Sequence, residues 1–144
     1  MNRLVCALAA ILTAGLAPAS AQVVHTPLQF TTDASFYVGR QLMPAGSYLV
    51  LPVFGDVNLL EIRSIGKGGG AFVETQAKAN PELPDSSEVT FNRYGDELFL
   101  SSVLVQSGRD AAVALESRAE RRAMRDTGLS ARIVVPAVPA RRKS

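Results

Sequence analysis

Residues Glu88 to Leu104, EVTFNRYGDELFLSSVL, can be folded on paper with almost no freedom. Gly95-Asp96 is a glycine-first pair of the kind that joins two antiparallel strands through a two-residue loop, and the segments on either side alternate in polarity. That loop sets Tyr94 opposite Glu97, Phe91 opposite Leu100 and Val89 opposite Ser102. One face then carries Val89, Phe91, Leu98 and Leu100. The other carries Thr90, Asn92, Glu97 and Ser101, with Tyr94, Phe99 and Val103 among them. A slip of one residue would scatter the apolar set over both faces, so the register is well specified. Such a hairpin needs a further layer to cover it.

Upstream, short β-prone segments follow one another between glycine and proline turns. Val23 to Thr32 is a lead-in interrupted by Pro27, which suits an edge position. Phe36-Tyr37-Val38 reads as a short strand. Pro44-Ala45-Gly46 then turns the chain into Ser47 to Val53, which is apolar on both faces, as in an interior or barrel-lining strand. Asn58 to Ile65 and Ala71 to Ala77 alternate, and the glycine-rich connection Gly66 to Gly70 joins them; Asn80 to Ser87, with two prolines, is a loop. Six or seven strands at this spacing predict a mostly β fold, a single small antiparallel β-barrel or β-sandwich occupying residues 22–108.

Past residue 108 the period changes. Asp110 reads as an N-cap, Ala111 to Arg125 as a helix and Gly128 as its end, so residues 109–128 form one C-terminal helix packed on or beside the β-domain. Its stripe is Ala112, Leu115, Ala119 and Ala123. Arg118 with Arg122, Arg121 with Arg125 and Glu116 with Glu120 place like charges four apart, so the helix is expected to find counter-charges elsewhere. Residues 129–144 supply an edge strand through Ile133-Val134-Val135 and a basic tail, Arg141-Arg142-Lys143.

The chain starts with Asn2-Arg3, an uncharged run from Leu4 to Leu16 and the small-residue site Ala19-Ser20-Ala21. This is the pattern of a signal peptide over residues 1–21, which predicts export, to the periplasm or outside the cell, after cleavage near Ala21. The run is too short to span a membrane. The one cysteine, Cys6, lies inside the leader, so residues 22–144 hold no thiol for a disulfide, a nucleophile or a metal. Residues 22–108 contain 5 basic and 9 acidic side chains and residues 109–144 contain 9 and 4. An acidic body carries a basic end.

Three motifs occur in order: Phe36-Tyr37-Val38-Gly39 leading to Pro44-Ala45-Gly46-Ser47-Tyr48; Phe91-Asn92-Arg93-Tyr94-Gly95-Asp96; and Ser117-Arg118-Ala119-Glu120-Arg121. Together they resemble a family of short exported β-rich proteins common in Acidobacteria. The resemblance spans most of the chain after the leader. It implies export and a β-rich fold, and it supplies no catalytic residues. Where the family has proline just before its Ser-x-Ala-Glu-Arg segment this chain has Leu115, which is expected to let the helix begin earlier. Arg93 shares the apolar hairpin face and wants a partner there, with Glu120 the expected one.

Catalytic chemistry is thinly represented. Ser64 and Lys67 have the Ser-x-x-Lys spacing of a serine hydrolase, but that mechanism needs the serine to open a helix, and here it closes a strand before glycine. His25 is the only histidine, near the start of the mature chain. Asp85-Ser86-Ser87-Glu88 lacks the alternation of a calcium loop, and the Gly66 to Gly70 run lacks the Gly-Lys-Ser/Thr of a phosphate loop. No cofactor or metal is expected, and basic residues are not interleaved with aromatics as nucleic acid requires. Two readings follow. One is a non-enzymatic structural or accessory β-domain of the cell envelope, its basic helix docked on the acidic body. The other is a binding module whose basic C-terminal segment engages an anionic envelope polymer or lipid. Candidate interaction residues are Arg93, Tyr94 and Asp96 at the hairpin tip and Arg118, Arg121, Arg122 and Arg125 on the helix.

Overall fold

The computed structural model describes residues 22–141. The leader read at residues 1–21 and the last residues of the basic tail, 142–144, lie outside the described residues. Ten strands and one helix follow in order: β1 (Leu28–Thr32), β2 (Phe36–Val38), β3 (Gln41–Met43), β4 (Gly46–Val53), β5 (Asp56–Ser64), β6 (Gly70–Ala79), β7 (Ser87–Tyr94), β8 (Glu97–Leu104), β9 (Asp110–Ala114), α1 (Arg118–Asp126) and β10 (Ala131–Pro139). Eight of the strands form a closed antiparallel β-barrel in the order β8-β7-β10-β1-β4-β5-β6-β9, and β9 returns to β8 to shut the ring. The choice between barrel and sandwich is thereby decided: closure leaves none of the eight as an edge.

The wall between β6 and β8 is shared. β9 pairs with Thr75–Ala79 of β6 and reaches β8 only at Ser102 and Val103. Further along β8, Tyr37 of β2 makes a single parallel bridge to Phe99. The β2–β3 hairpin thus fills the part of the wall that β9 does not reach, and Phe36 and Val38 point from it into the core. The barrel interior is side chain throughout: rings of Phe30, Phe36, Tyr48 and Phe91 meet at centroid distances of 5.0 to 6.0 Å, with Leu28, Val50, Ile62, Val89 and Leu100 around them. Eight strands enclose just enough room for such a filling.

The hairpin forms around Gly95-Asp96 with Tyr94 opposite Glu97 and Phe91 opposite Leu100, as expected. It departs from expectation further down. A bulge shifts the register between Thr90 and Phe91, so Val89 stands opposite Val103 and not Ser102. The extra residue turns Val103 inward, where it is fully buried with Val89. An apolar residue that alternation placed on the outer face therefore belongs to the core.

Three other expectations are corrected. Residues 110–114 are a strand, and the helix begins at Arg118, one turn and more after Ala111. Alanine favours helix, but here Ala111, Ala112, Val113 and Ala114 join a ladder between β6 and β8, and the hydrogen bonds and burial of that ladder outweigh a propensity of a few tenths of a kcal/mol per residue. The N-cap is Ser117, whose Oγ accepts from the Glu120 amide at 3.1 Å; the helix does not begin earlier despite Leu115. The predicted end holds, with Gly128 at φ +77° and its amide bonded to the Met124 carbonyl at 2.9 Å. Finally, β10 is no edge strand but runs between β7 and β1, and β1 is likewise interior, between β10 and β4. The prolines do not forbid this. Pro27 precedes β1, and the β1 ladder to β10 reaches only from Ala137 to Pro139, leaving Pro136 beyond it.

Candidate functional site

Each of the three motifs contributes a residue to one place, the seat of α1 on the outside of the barrel: Tyr37, Tyr94 and Ala119. Tyr94 and Phe99 are the outward residues of β7 and β8, and with Tyr37 and the helix residues Ala119 and Ala123 they form a second apolar cluster outside the barrel. Phe99 stacks on Tyr37 at 4.8 Å and meets Tyr94 edge-on at 5.8 Å. Ala119 and Ala123 are the two members of the predicted stripe that pack here. Ala112 is instead a barrel residue and Leu115 is exposed.

Glu120 locks the seat. It is buried, and its Oε1 accepts from the Tyr94 hydroxyl at 2.9 Å and from Asn92 Nδ2 at 3.3 Å. The carboxylate lies in the first turn of α1, where the amide dipoles favour negative charge. The expected pair of Glu120 with Arg93 is not formed. Arg93 follows Phe91 on the barrel's inner face and emerges exposed opposite Leu98, whereas Asn92 and Tyr94 point out beneath the helix. Alternation along β7 makes those two sets exclusive.

Tyr94 is therefore a structural residue, not part of a free recognition tip. The rest of the tip is tied down too: Gly95 N donates to Ser130 Oγ at 2.9 Å, and Ser130 N to the Arg93 carbonyl at 2.7 Å. Gly95 sits at φ +63°, and a Cβ there would come 3.2 Å from Thr127 Cγ2, so glycine serves both the turn and the close approach of the helix exit.

Burial and the hydrogen bond to Glu120 push the Tyr94 phenol up to about 12, and burial alone raises Tyr48, whose hydroxyl donates to the Pro44 carbonyl. Raised folded values mean the fold prefers both phenols neutral. The Tyr94 contribution is complete below the ordinary value of 10.0 and is lost as pH rises from there through about 12, and that of Tyr48 is lost in the same direction. Stability should accordingly fall over that window, and Tyr94→Phe should fall less steeply. Urea unfolding at a series of alkaline pH values reads this, and equal slopes for the two proteins would rule it out.

The arginines divide differently. Arg118, Arg121, Arg122 and Arg125 are all exposed on α1, and the acidic body does not neutralise them. Among the described residues the one ion pair is Arg63 with Glu61, at 2.9 Å; Arg121 Nη1 donates to the Glu116 carbonyl at 3.0 Å. The expectation that the helix arginines dock on the acidic body is thus corrected: α1 docks through Glu120 and two methyl groups, and its four arginines stay exposed without ion pairs among the described residues. Asp96, with Glu97 and Asp126, borders an open groove that Ala119 and Arg122 also line, and Arg118 and Arg122 border the adjoining groove beside the β2–β3 turn.

Ser64 and Lys67 do not form a helical Ser-Lys arrangement. Ser64 ends β5 and its amide bonds Gly69 across a loop, with Gly66, Gly68 and Gly69 at positive φ. His25 is exposed beside Pro27 and Arg141. Among the described residues no three His, Asp or Glu side chains cluster to hold a metal, and no helix is long and apolar enough to cross a membrane. Arg40 and Phe72, which line the groove beside Arg118 and Arg122, escaped sequence reasoning because nothing local distinguishes them. Compared with models of protein families, with curated proteins and with solved structures, the chain gives no match.

Proposed function

We propose that this is an exported, non-enzymatic accessory protein of the cell envelope that holds a cationic helix rigidly on a β-barrel and uses it to engage an anionic envelope component. The observation that carries this reading is the division of labour on α1. Its buried acid, Glu120, and its small apolar residues are spent on the barrel, and its four arginines are left in solvent without ion pairs among the described residues. Arg118 with Arg122 and Arg121 with Arg125 set like charges four apart on α1, which is mildly destabilising. A partner of opposite charge relieves it. The purely structural reading, in which helix charges pair with the acidic body, is disfavoured by the same geometry. The packed interior speaks against a ligand carried inside the barrel.

Replacing Arg118, Arg121, Arg122 and Arg125 together by glutamine tests the proposal. Ending the chain at Gly108 would not, because it removes β9 and β10 and opens the ring. The purified protein should co-sediment with cell envelopes at low salt and be released as salt rises from about 0.1 to 1 M, where the screening length shrinks from roughly 10 to 3 Å. The folded four-glutamine protein should stay in the supernatant throughout. Equal sedimentation of both proteins, or binding indifferent to salt, would remove the helix from the function.

A further inference from the structure

The groove on the Arg118 flank has walls from three separate elements: the β2–β3 turn with Gly39 and Arg40, the start of β6 with Ala71 and Phe72, and the start of α1 with Arg118 and Arg122. It is open and about 580 Å³ in volume, within the range of small-ligand sites. Gln41 Nε2 donates to the Gly70 carbonyl at 3.3 Å, tying the turn to β6, and Glu120 fixes the helix, so the walls are held in place before any ligand arrives. Three guanidiniums from two elements face one space that also contains an exposed aromatic ring, Phe72 at 62%.

We propose that this groove binds a short stretch of acidic polysaccharide, its anionic groups held by Arg40, Arg118 and Arg122 and one sugar ring laid against Phe72. The inference rests on the reading above and narrows the partner. A sugar ring offers a face of C–H groups that suits the negative face of an aromatic ring, while its acidic substituent projects from the rim, where forked guanidiniums pair with it. Other anions fit less well. A membrane surface would need the apolar face of α1 turned outward, but Ala119 and Ala123 are spent on the barrel and Met124 is the large apolar side chain that α1 exposes. A nucleic-acid strand stacks successive bases on several aromatic platforms, and Phe72 is the one aromatic in the groove's lining. Inorganic phosphate leaves Phe72 unused.

Titration calorimetry of the full-length mature protein with a galacturonic acid tetramer, its methyl ester and anionic phospholipid vesicles tests this. The tetramer should bind one to one and its uncharged ester should not. Arg40→Gln and Phe72→Ala should each weaken binding about tenfold or more, the loss of one charge-assisted or stacking contact, whereas Lys78→Gln, an exposed cation on β6 outside the groove, should leave it unchanged. Both groove positions are exposed, so thermal unfolding should be unaltered and the variants comparable. Tetramer binding that survives Arg40→Gln and Phe72→Ala but disappears with the four helix glutamines would overturn the groove and leave the helix reading standing. Vesicle binding indifferent to Arg40 and Phe72 would do the same in favour of a membrane. No binding of any of these anions, with envelopes also unbound, would overturn both.

Discussion

Phe36→Ala should lower the free energy of unfolding by about 4 kcal/mol, near the upper end for a buried aromatic. The ring is completely buried and touches three others, Phe30 at 6.0 Å, Tyr48 at 5.0 Å and Phe91 at 5.1 Å. Its removal deletes the centre of the cluster, and no neighbour is free to collapse into the space, since Tyr48 is anchored through its hydroxyl to the Pro44 carbonyl. There is a second reason to expect the high end. β2 is joined to β8 by one parallel bridge and otherwise only to the short β3, so side-chain burial at Phe36 and Val38 is most of what holds the hairpin in the wall. Phe36→Leu should cost roughly half as much. Urea unfolding of the two variants reads the difference; a loss below about 1 kcal/mol for the alanine would mean that β2 is not an integral part of the core.

Glu120→Ala should cost about 3 kcal/mol and act locally. It leaves the buried Tyr94 hydroxyl and the half-buried Asn92 amide with no acceptor, and a fully buried orphan costs about 1 to 3 kcal/mol. Glu120→Gln keeps an acceptor oxygen in place and loses the charge near the helix N-terminus, so about 1 kcal/mol is expected. Because the barrel closes without α1, the damage should be confined to the seat. Amide exchange should show protection lost from Arg121 to Gly128 in the alanine variant and retained in β7 and β4. Protection lost uniformly over barrel and helix would show instead that the two unfold as one unit, and similar costs for alanine and glutamine would show that the carboxylate is not the clamp.

Much of the fold was legible locally. Gly95-Asp96, the alternation in β7 and β8 on the turn side of the bulge and the Pro-Ala-Gly turn before β4 each rest on interactions a few residues long, and the structure agrees with them. The failures share a cause. Val103 was assigned to the wrong face because a bulge leaves no mark in an alternating pattern. Residues 110–114 looked helical because alanine propensity is local and the ladder they join is not. Pro27 suggested an edge for β1 because its lost hydrogen bond is counted per residue, whereas what matters is whether a neighbour needs it at that point. The site divides the same way. The four arginines of α1 were visible as a basic run, but Tyr94 and Glu120 meet across 26 residues and Arg40 joins Arg118 across still more.

The amino-acid order alone therefore determined the class of fold, the lack of cysteine in residues 22–144, the hairpin and its turn, and the uneven distribution of charge, because composition, turn conformation and strand period act over short stretches. Only the tertiary structure decided that the sheet closes, that Tyr94 and Glu120 serve the helix seat, and that Arg118 and Arg122 share a groove with Arg40 and Phe72. Those outcomes depend on which distant segments become neighbours, and that follows from burying every apolar face at once, a condition the whole chain satisfies and no single stretch records.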